Sequence, residues 1–164
     1  MLVDYLGYFA DTNLVEKTRN LQWDNGSSVG VFFEFLEENE LLRVWGATTE
    51  AHALTAVTNW LTDKCRLPEF GSQLGRELLL TCDYIHFVLE PTQQKVVLEK
   101  IEGLEPADDE TFDASVVEYF TDLGAEYADG YVSDGLDEYY RIFQDLRADM
   151  QAHADKTLIV LIPY

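Results

Sequence analysis

Cys82 and His86 are the two residues of this sequence whose types and spacing come nearest to a catalytic pair. A cysteine attacks as a thiolate once a histidine within hydrogen-bond reach has taken its proton. The segment 83–90 is rich in β-forming residues and predicts a strand. On a strand, residues four apart share a face but stand roughly 13 Å apart, at about 3.3 Å per residue. We therefore predict a buried thiol and a satisfied core histidine, and no catalytic residues.

The remaining histidines and the many carboxylates match no regular metal-binding pattern. His52 is predicted on the solvent side of one helix, and His153 near the end of another, where a protonated imidazole suits the helix dipole. A segment beginning at Asp129 resembles a calcium loop, but Asp134 stands where glycine is required and Tyr140 where glutamate is required. We predict no metal and no cofactor. The alternative is a small enzyme with an irregular carboxylate site for a divalent cation.

The charge balance is the strongest functional signal in the chain. Its 164 residues include 31 acidic and 11 basic ones, which gives a net charge of −20. This balance excludes ordinary nucleic-acid binding, which needs a basic footprint. It also disfavours docking to anionic membranes. Attraction to the basic surface of another protein is the interaction that such a charge favours.

The acidic residues concentrate between residues 102 and 138, where 13 of them occur without a lysine or an arginine. Glu118, Asp122 and Glu126 stand at i, i+4 and i+8, which on one helix forms a single stripe. Like charges at this spacing cost about 0.2–0.5 kcal/mol per pair. A solvated helix face is one interpretation, and a docking surface for a partner's cations is the other. We predict partner binding by the following residues: Glu118, Asp122, Glu126, Asp129, Asp134, Asp137, Glu138, Tyr131 and, at a predicted hairpin tip, Glu37 and Glu38.

The compartment is predicted from the N-terminus and the cysteines. Asp4 interrupts the first apolar run and no basic residue precedes it, unlike a secretory signal. No apolar stretch approaches the roughly 18 residues of a membrane helix. Cys65 and Cys82 lack metal-binding spacing and suit free thiols in a reducing environment. We therefore predict a cytoplasmic protein.

Hydrophobic periodicity predicts one acidic domain over residues 1–164, of the α/β (α+β) class, with a mixed sheet of about five to six strands packed by about four helices. Strands are predicted at 3–9, 29–38, 41–47, 83–90, 95–101 and 157–164, with 29–47 as a hairpin. Helices are predicted at 12–21, 48–64, from a Ser115 or Asp113 cap onward, and 133–154, with 72–80 ambiguous. The last strand is apolar on both faces, so we expect it centrally in the sheet beneath helices.

In size and charge the chain is similar to acidic immunity proteins, which bind and block toxic nucleases, and to nucleic-acid mimics, which occupy DNA- or RNA-binding grooves. The similarity implies a non-catalytic inhibitor or immunity protein that neutralises a basic partner, such as the nuclease of a toxin–antitoxin pair. A nucleic-acid mimic that counters a defence system is one alternative, and the small carboxylate enzyme is the other. Tight, salt-sensitive binding to one basic protein would select the first function, and turnover dependent on a divalent ion would select the last.

Overall fold

The computed structural model describes residues 2–18, 32, 34–35, 38, 42–80 and 82–161. Within these ranges it has four strands: β1 (Leu2–Ala10), β2 (Leu42–Glu50), β3 (Ile85–Leu89) and β4 (Thr157–Leu161). The same ranges hold seven α-helices: α1 (Thr12–Lys17), α2 (Ala51–Cys65), α3 (Gln73–Leu79), α4 (Pro91–Ile101), α5 (Glu110–Leu123), α6 (Ala125–Val132) and α7 (Asp137–Ala152). A short 3₁₀ turn, Pro106–Asp108, precedes α5.

The four strands form one antiparallel sheet in the order β2-β1-β4-β3. The prediction of an α/β domain with a mixed sheet of five to six strands is therefore wrong. The described chain is mainly helical, with a small antiparallel sheet and more helices than the predicted four. Two predicted strands account for the difference, because short apolar runs cannot be assigned to helix or strand by periodicity alone.

The predicted strand at 95–101 is wrong because residues 91–94, which the sequence predicts as a turn leading into this strand, form the first turn of α4. Pro91 occupies the first helical position, where its missing N–H has no intrahelical partner to lose. Glu90 and Gln93 form a reciprocal capping box, in which the Glu90 amide donates to Oε1 of Gln93 at 2.9 Å. The apolar run then becomes one face of a helix, with Val97 buried and Val96 exposed.

The predicted hairpin over 29–47 is also wrong where the structure describes it. Phe32, Glu34, Phe35 and Glu38 are helical, and the other residues of 29–38 lie outside the described residues. The second predicted strand is present as β2, but it pairs with β1 and continues to Glu50, past the predicted start of the next helix.

The prediction of a central, doubly covered last strand is confirmed as far as Leu161. β4 lies between β1 and β3, and its five residues are buried. Leu158 and Val160 pack with α2, α4, α5 and α7, whereas Ile159 and Leu161 pack with α1 and α3. Because successive side chains of a strand point to opposite faces, the sheet is covered by helices on both sides.

Candidate functional site

Seven exposed carboxylates lie on three consecutive helices and the turn between two of them. We call this set the acidic surface: Glu118 and Asp122 on α5, Glu126 and Asp129 on α6, Asp134 in the following turn, and Asp137 and Glu138 at the start of α7. All seven were predicted to bind a partner. The structure brings them onto neighbouring helices, because α6 packs against α5.

Gly124 divides the predicted stripe between two helices. α5 ends at Leu123 and α6 begins at Ala125, and Gly124 between them has a φ of 132°, in the region that favours glycine. The prediction of one helical stripe is therefore wrong, since Asp122 and Glu126 stand on opposite sides of the break. The i, i+4 spacing of the acidic residues is the same whether or not a helix ends at the glycine between them, so the spacing alone does not reveal the end of the helix.

The partial charges at the helix ends stabilise some of these carboxylates and destabilise one other. Asp122 lies in the last turn of α5, which contains no basic residue, so its charge opposes the partial negative charge of the helix C-terminus. Glu126 lies in the first turn of α6, and Asp137 and Glu138 lie in that of α7, where a carboxylate is favoured. Asp122 is therefore the acid whose position local helix stability disfavours.

Six of the described lysines and arginines pair with carboxylates outside the acidic surface. Their salt bridges are Lys64–Asp109, Arg76–Glu69, Lys95–Glu99, Arg141–Asp145, Arg147–Glu105 and Lys156–Asp11. Among the described residues, six members of the acidic surface form no salt bridge: Glu118, Asp122, Glu126, Asp129, Asp134 and Asp137. No described lysine or arginine compensates their charge through a salt bridge.

A pocket of about 370 Å³ lies between the end of α6 and the start of α7. Tyr131, Asp134, Asp137 and Glu138 line it, so the structure brings four of the predicted partner-binding residues together. Gly135, with a φ of 99°, makes the turn that joins the two helices. Three carboxylates beside an aromatic ring suit the guanidinium of an arginine or the ammonium of a lysine.

Aromatic rings attach α6 to the rest of the protein. None of the residues of α6 is fully buried. Tyr131 stacks on the buried Phe120 of α5, with 4.7 Å between ring centroids and 8° between ring planes. Tyr127 lies parallel to Tyr131 at 6.3 Å. These rings set the position of Glu126 and Asp129.

His52 completes this aromatic cluster and was missed as a site residue. Its side chain is half-buried, and its Nδ1 lies 3.0 Å from the hydroxyl of Tyr119. Its ring forms T-shaped pairs with those of Tyr127 and Tyr131, at centroid distances of 5.6 and 6.0 Å. The prediction that His52 faces solvent is therefore wrong, because α5 and α6 pack over the first turn of α2. The i, i+4 spacing of Tyr127 and Tyr131 was the available signal for an aromatic contact.

Asp109 fixes the start of α5 beside α2. Its Oδ1 accepts hydrogen bonds from the amides of Thr111 at 2.9 Å and Phe112 at 3.2 Å, and Lys64 donates to its Oδ2 at 2.8 Å. Burial alone would raise the pKa of Asp109, but the hydrogen bonds from Lys64, Thr111 and Phe112 outweigh it and lower the pKa to about 2.

The predicted caps at Ser115 and Asp113 are wrong, since α5 begins five residues before Ser115. Asp113 instead accepts a 2.8 Å hydrogen bond from the hydroxyl of Tyr140, which joins α5 to α7. Burial, followed by this hydrogen bond to a carboxylate, raises the pKa of Tyr140 to about 12. α7 itself begins at Asp137, four residues after the predicted start.

The second predicted acidic group is only partly described. Glu38 is exposed and helical, so it does not lie at a hairpin tip, and Glu37 lies outside the described residues. His153 ends α7, as predicted, and its ring packs 4.8 Å from that of Phe9.

Cys82 and His86 are held in different packing layers. Cys82 is buried with α1 and α3, and burial raises the pKa of its thiol. His86 hydrogen-bonds through Nε2 to Oγ1 of Thr58 on α2, which packs on the other side of the sheet. In the described ranges, no group of three or more His, Cys, Asp or Glu side chains could hold a metal ion.

Comparison of the chain with protein-family models, curated proteins and solved structures finds no match. Among the helices that the structure describes, none is both long and apolar enough to cross a membrane.

Proposed function

We propose that this chain is a non-catalytic, acidic protein-binding domain. It acts as an inhibitor or immunity protein that neutralises a basic partner, such as a nuclease toxin, by covering the partner's cationic surface with α5, α6 and α7. One observation carries the proposal: six described lysines and arginines pair with carboxylates elsewhere, while six acids of the acidic surface form no salt bridge with the described residues. A surface of one sign attracts a partner of the other and speeds its association.

Apolar side chains beside these acids support a contact surface rather than a purely solvated one. Val117 and Leu123 of α5 are 40% and 38% exposed, and they adjoin Glu118 and Asp122 in the sequence. The pocket between α6 and α7 adds the ring of Tyr131. Tyrosine and arginine are common in binding hot spots, so a partner's arginine in this pocket would contact both a ring and carboxylates.

Charge reversal with a matched control tests the proposal. The surface variant carries Asp122→Lys and Glu126→Lys. The control carries Glu99→Lys and Asp155→Lys, two exposed carboxylates outside the acidic surface, so that both variants have the same net charge. Each protein is used as bait in a lysate of its source cells at low and high salt. Captured proteins are then identified and their enzymatic activity is assayed with and without bait.

The proposal expects wild type and control to capture the same basic protein at low salt and to inhibit it, while the surface variant loses both properties. Displacement of that protein by duplex DNA would indicate that its nucleic-acid groove is covered and would favour a mimic. Equal capture by all three baits would exclude the acidic surface as the docking face.

A further inference from the structure

A small pocket that shares no residue with the acidic surface lies between α2, the loop before α3, and β3. Its volume is about 110 Å³, which limits any occupant to a few heavy atoms. The side chains that matter for its chemistry are those of Asn59, Thr62, Glu69, Phe70, His86 and Phe87.

A β-bulge in β3 turns His86 toward this pocket. Opposite β4, Ile85 pairs with Leu161 and Phe87 with Val160, so β3 contains one extra residue at this point. On a regular strand His86 and Phe87 would point to opposite faces. The bulge instead lets His86 reach Thr58 on the side where Phe87 packs. Bulges of this kind re-aim side chains and are frequent beside functional sites.

The contacts of Thr58 determine which nitrogen of His86 carries the proton. Oγ1 of Thr58 lies 2.9 Å from the carbonyl oxygen of Leu54 and 3.2 Å from that of Thr55. Two oxygens this close repel unless a proton lies between them, so the single hydroxyl proton of Thr58 points to a carbonyl. Nε2–H of His86 must therefore donate to Oγ1 of Thr58.

The other nitrogen of His86 is then a free acceptor. Burial lowers the pKa of His86 to about 4, so the ring is neutral near pH 7. With the proton on Nε2, Nδ1 carries a lone pair, and it has no hydrogen-bond partner among the described residues.

The pocket offers further acceptors and no cation among its lining residues. The hydroxyl of Thr62 donates to the carbonyl of Asn59 at 2.9 Å, so its oxygen is left as an acceptor. Glu69 adds a carboxylate, which Arg76 of α3 approaches at 3.6 Å in an exposed pair that solvent screens. The rings of Phe70 and Phe87 form the apolar walls. An alkyl group ending in a hydrogen-bond donor fits this combination.

The rim of the pocket is fixed by backbone contacts. Phe70 has a φ of 61°, which is rare for a residue with a side chain. Its carbonyl accepts a 2.8 Å hydrogen bond from the amide of Val88. Gly71 has a φ of 80°, and a Cβ there would lie 2.5 Å from the carbonyl oxygen of Val88. A strained residue such as Phe70 is frequent at active sites and ligand clamps.

We propose that this pocket binds a protonated primary amine, whose ammonium donates to Nδ1 of His86 and to the carboxylate of Glu69 while its alkyl chain packs on Phe70. The proposal is independent of the acidic surface and of the function assigned to it. The amine could be a free small molecule or the end of a lysine side chain from another protein, since both present the same chemistry.

Nitrogen NMR of the ¹⁵N-histidine-labelled protein, titrated with n-butylammonium chloride, tests the proposal. We expect Nδ1 of His86 to be unprotonated in the free protein and to shift saturably, with a dissociation constant of roughly 1 mM. Glu69→Gln should weaken binding by about two- to fivefold, the range expected for an exposed ion pair. Glu99→Gln, which alters another exposed glutamate paired with a cation, should leave binding unchanged.

Three results would overturn the proposal: a protonated Nδ1, the absence of a saturable shift, or equal binding of n-butanol. The source of the amine is resolved by a parallel titration with Nα-acetyl-lysine amide. Tighter binding of this compound than of n-butylammonium supports a lysine side chain, and weaker binding supports a free amine.

Discussion

The ring of Tyr131 lies on that of Phe120, parallel to within 8° and with 4.7 Å between centroids. Phe120 is fully buried in α5, whereas α6 contributes no fully buried residue of its own. This stacked pair therefore attaches α6, the helix that carries Glu126 and Asp129, to the core.

Tyr131→Ala should loosen α6 without unfolding the protein. The lost ring pair is worth about 0.5–1.5 kcal/mol beyond the area it buries. Hydrogen exchange should show faster exchange of the α6 amides and unchanged exchange in β4, because β4 is packed on both faces by other residues. Tyr131→Phe keeps the ring and should keep the protection of α6. Unaltered α6 exchange in Tyr131→Ala would show that other contacts hold the helix.

Charge reversal at the two helix ends beside Gly124 should have opposite effects on stability. Asp122→Lys places a cation at the C-terminus of α5 and should raise the melting temperature, whereas Glu126→Lys places one at the N-terminus of α6 and should lower it. Each effect is about 0.3–1 kcal/mol, and 1 kcal/mol shifts the midpoint by roughly 2–4 °C at this chain length. Because both variants change the net charge by the same amount, the difference between their melting temperatures excludes the general relief of negative charge. Equal melting temperatures of the two variants would show that the helix ends play no part.

The acidic surface could be predicted from the sequence because charge is visible directly in residue types, and Tyr131 meets Asp134 and Glu138 because they are close in the chain. The contact between His52 and Tyr119 spans 67 positions and could not be predicted. It depends on how α5 packs against α2, and helical periodicity contains no information about which helices pack together.

The length and composition of the apolar runs explain why β4 could be predicted and why the strand at 95–101 was predicted wrongly. β4 is an unbroken apolar run, which is typical of a strand buried on both faces, and its central place follows. The run at 95–101 is shorter and mixed with charge. There the capping pair Glu90 and Gln93, with Pro91 between them, is the signal that a helix starts at this point.

Asp109 should make the stability of the folded protein depend on pH in the acidic range. Its pKa of about 2 in the folded protein lies below the ordinary 3.8, so the folded state binds this proton less tightly than the unfolded state. Its stabilising effect is therefore complete above pH about 4 and is lost as the pH falls towards about 2. Asp109→Asn keeps a good helix cap and removes the charge.

Urea unfolding at a series of pH values measures this effect. The difference in free energy of unfolding between wild type and Asp109→Asn should be constant above pH about 4 and shrink below it. In Lys64→Met, the loss of stability on acidification should be smaller and should end at a higher pH, because without the largest favourable partner of Asp109 its folded-state pKa lies closer to the ordinary value. A difference that stays constant down to pH about 2 would contradict the assignment.

Removing side-chain volume from β4 should lower the free energy of unfolding strongly, whereas the same change at the surface should have little effect on it. Leu158 is fully buried and Leu80 is 88% exposed. Leu158→Ala should lower the free energy of unfolding by about 2–5 kcal/mol, and Leu80→Ala should change it by less than about 0.5 kcal/mol. A chain ending at Lys156 should show no cooperative thermal transition. A cooperative melt of that truncated chain would show that β4 is dispensable.

The most direct test of the proposed function is the affinity for the captured partner as a function of salt. Dissociation constants are measured by calorimetry for wild type, Asp122→Lys/Glu126→Lys and the control Glu99→Lys/Asp155→Lys, at several salt concentrations between about 0.05 and 0.5 M. Screening shortens the range of surface charges to about 8 Å at 0.15 M and less above it. We predict that the surface variant binds at least about tenfold more weakly than the control at the lowest salt and that the gap narrows as salt rises. Equal affinities of the surface variant and the control at every salt concentration would contradict the account.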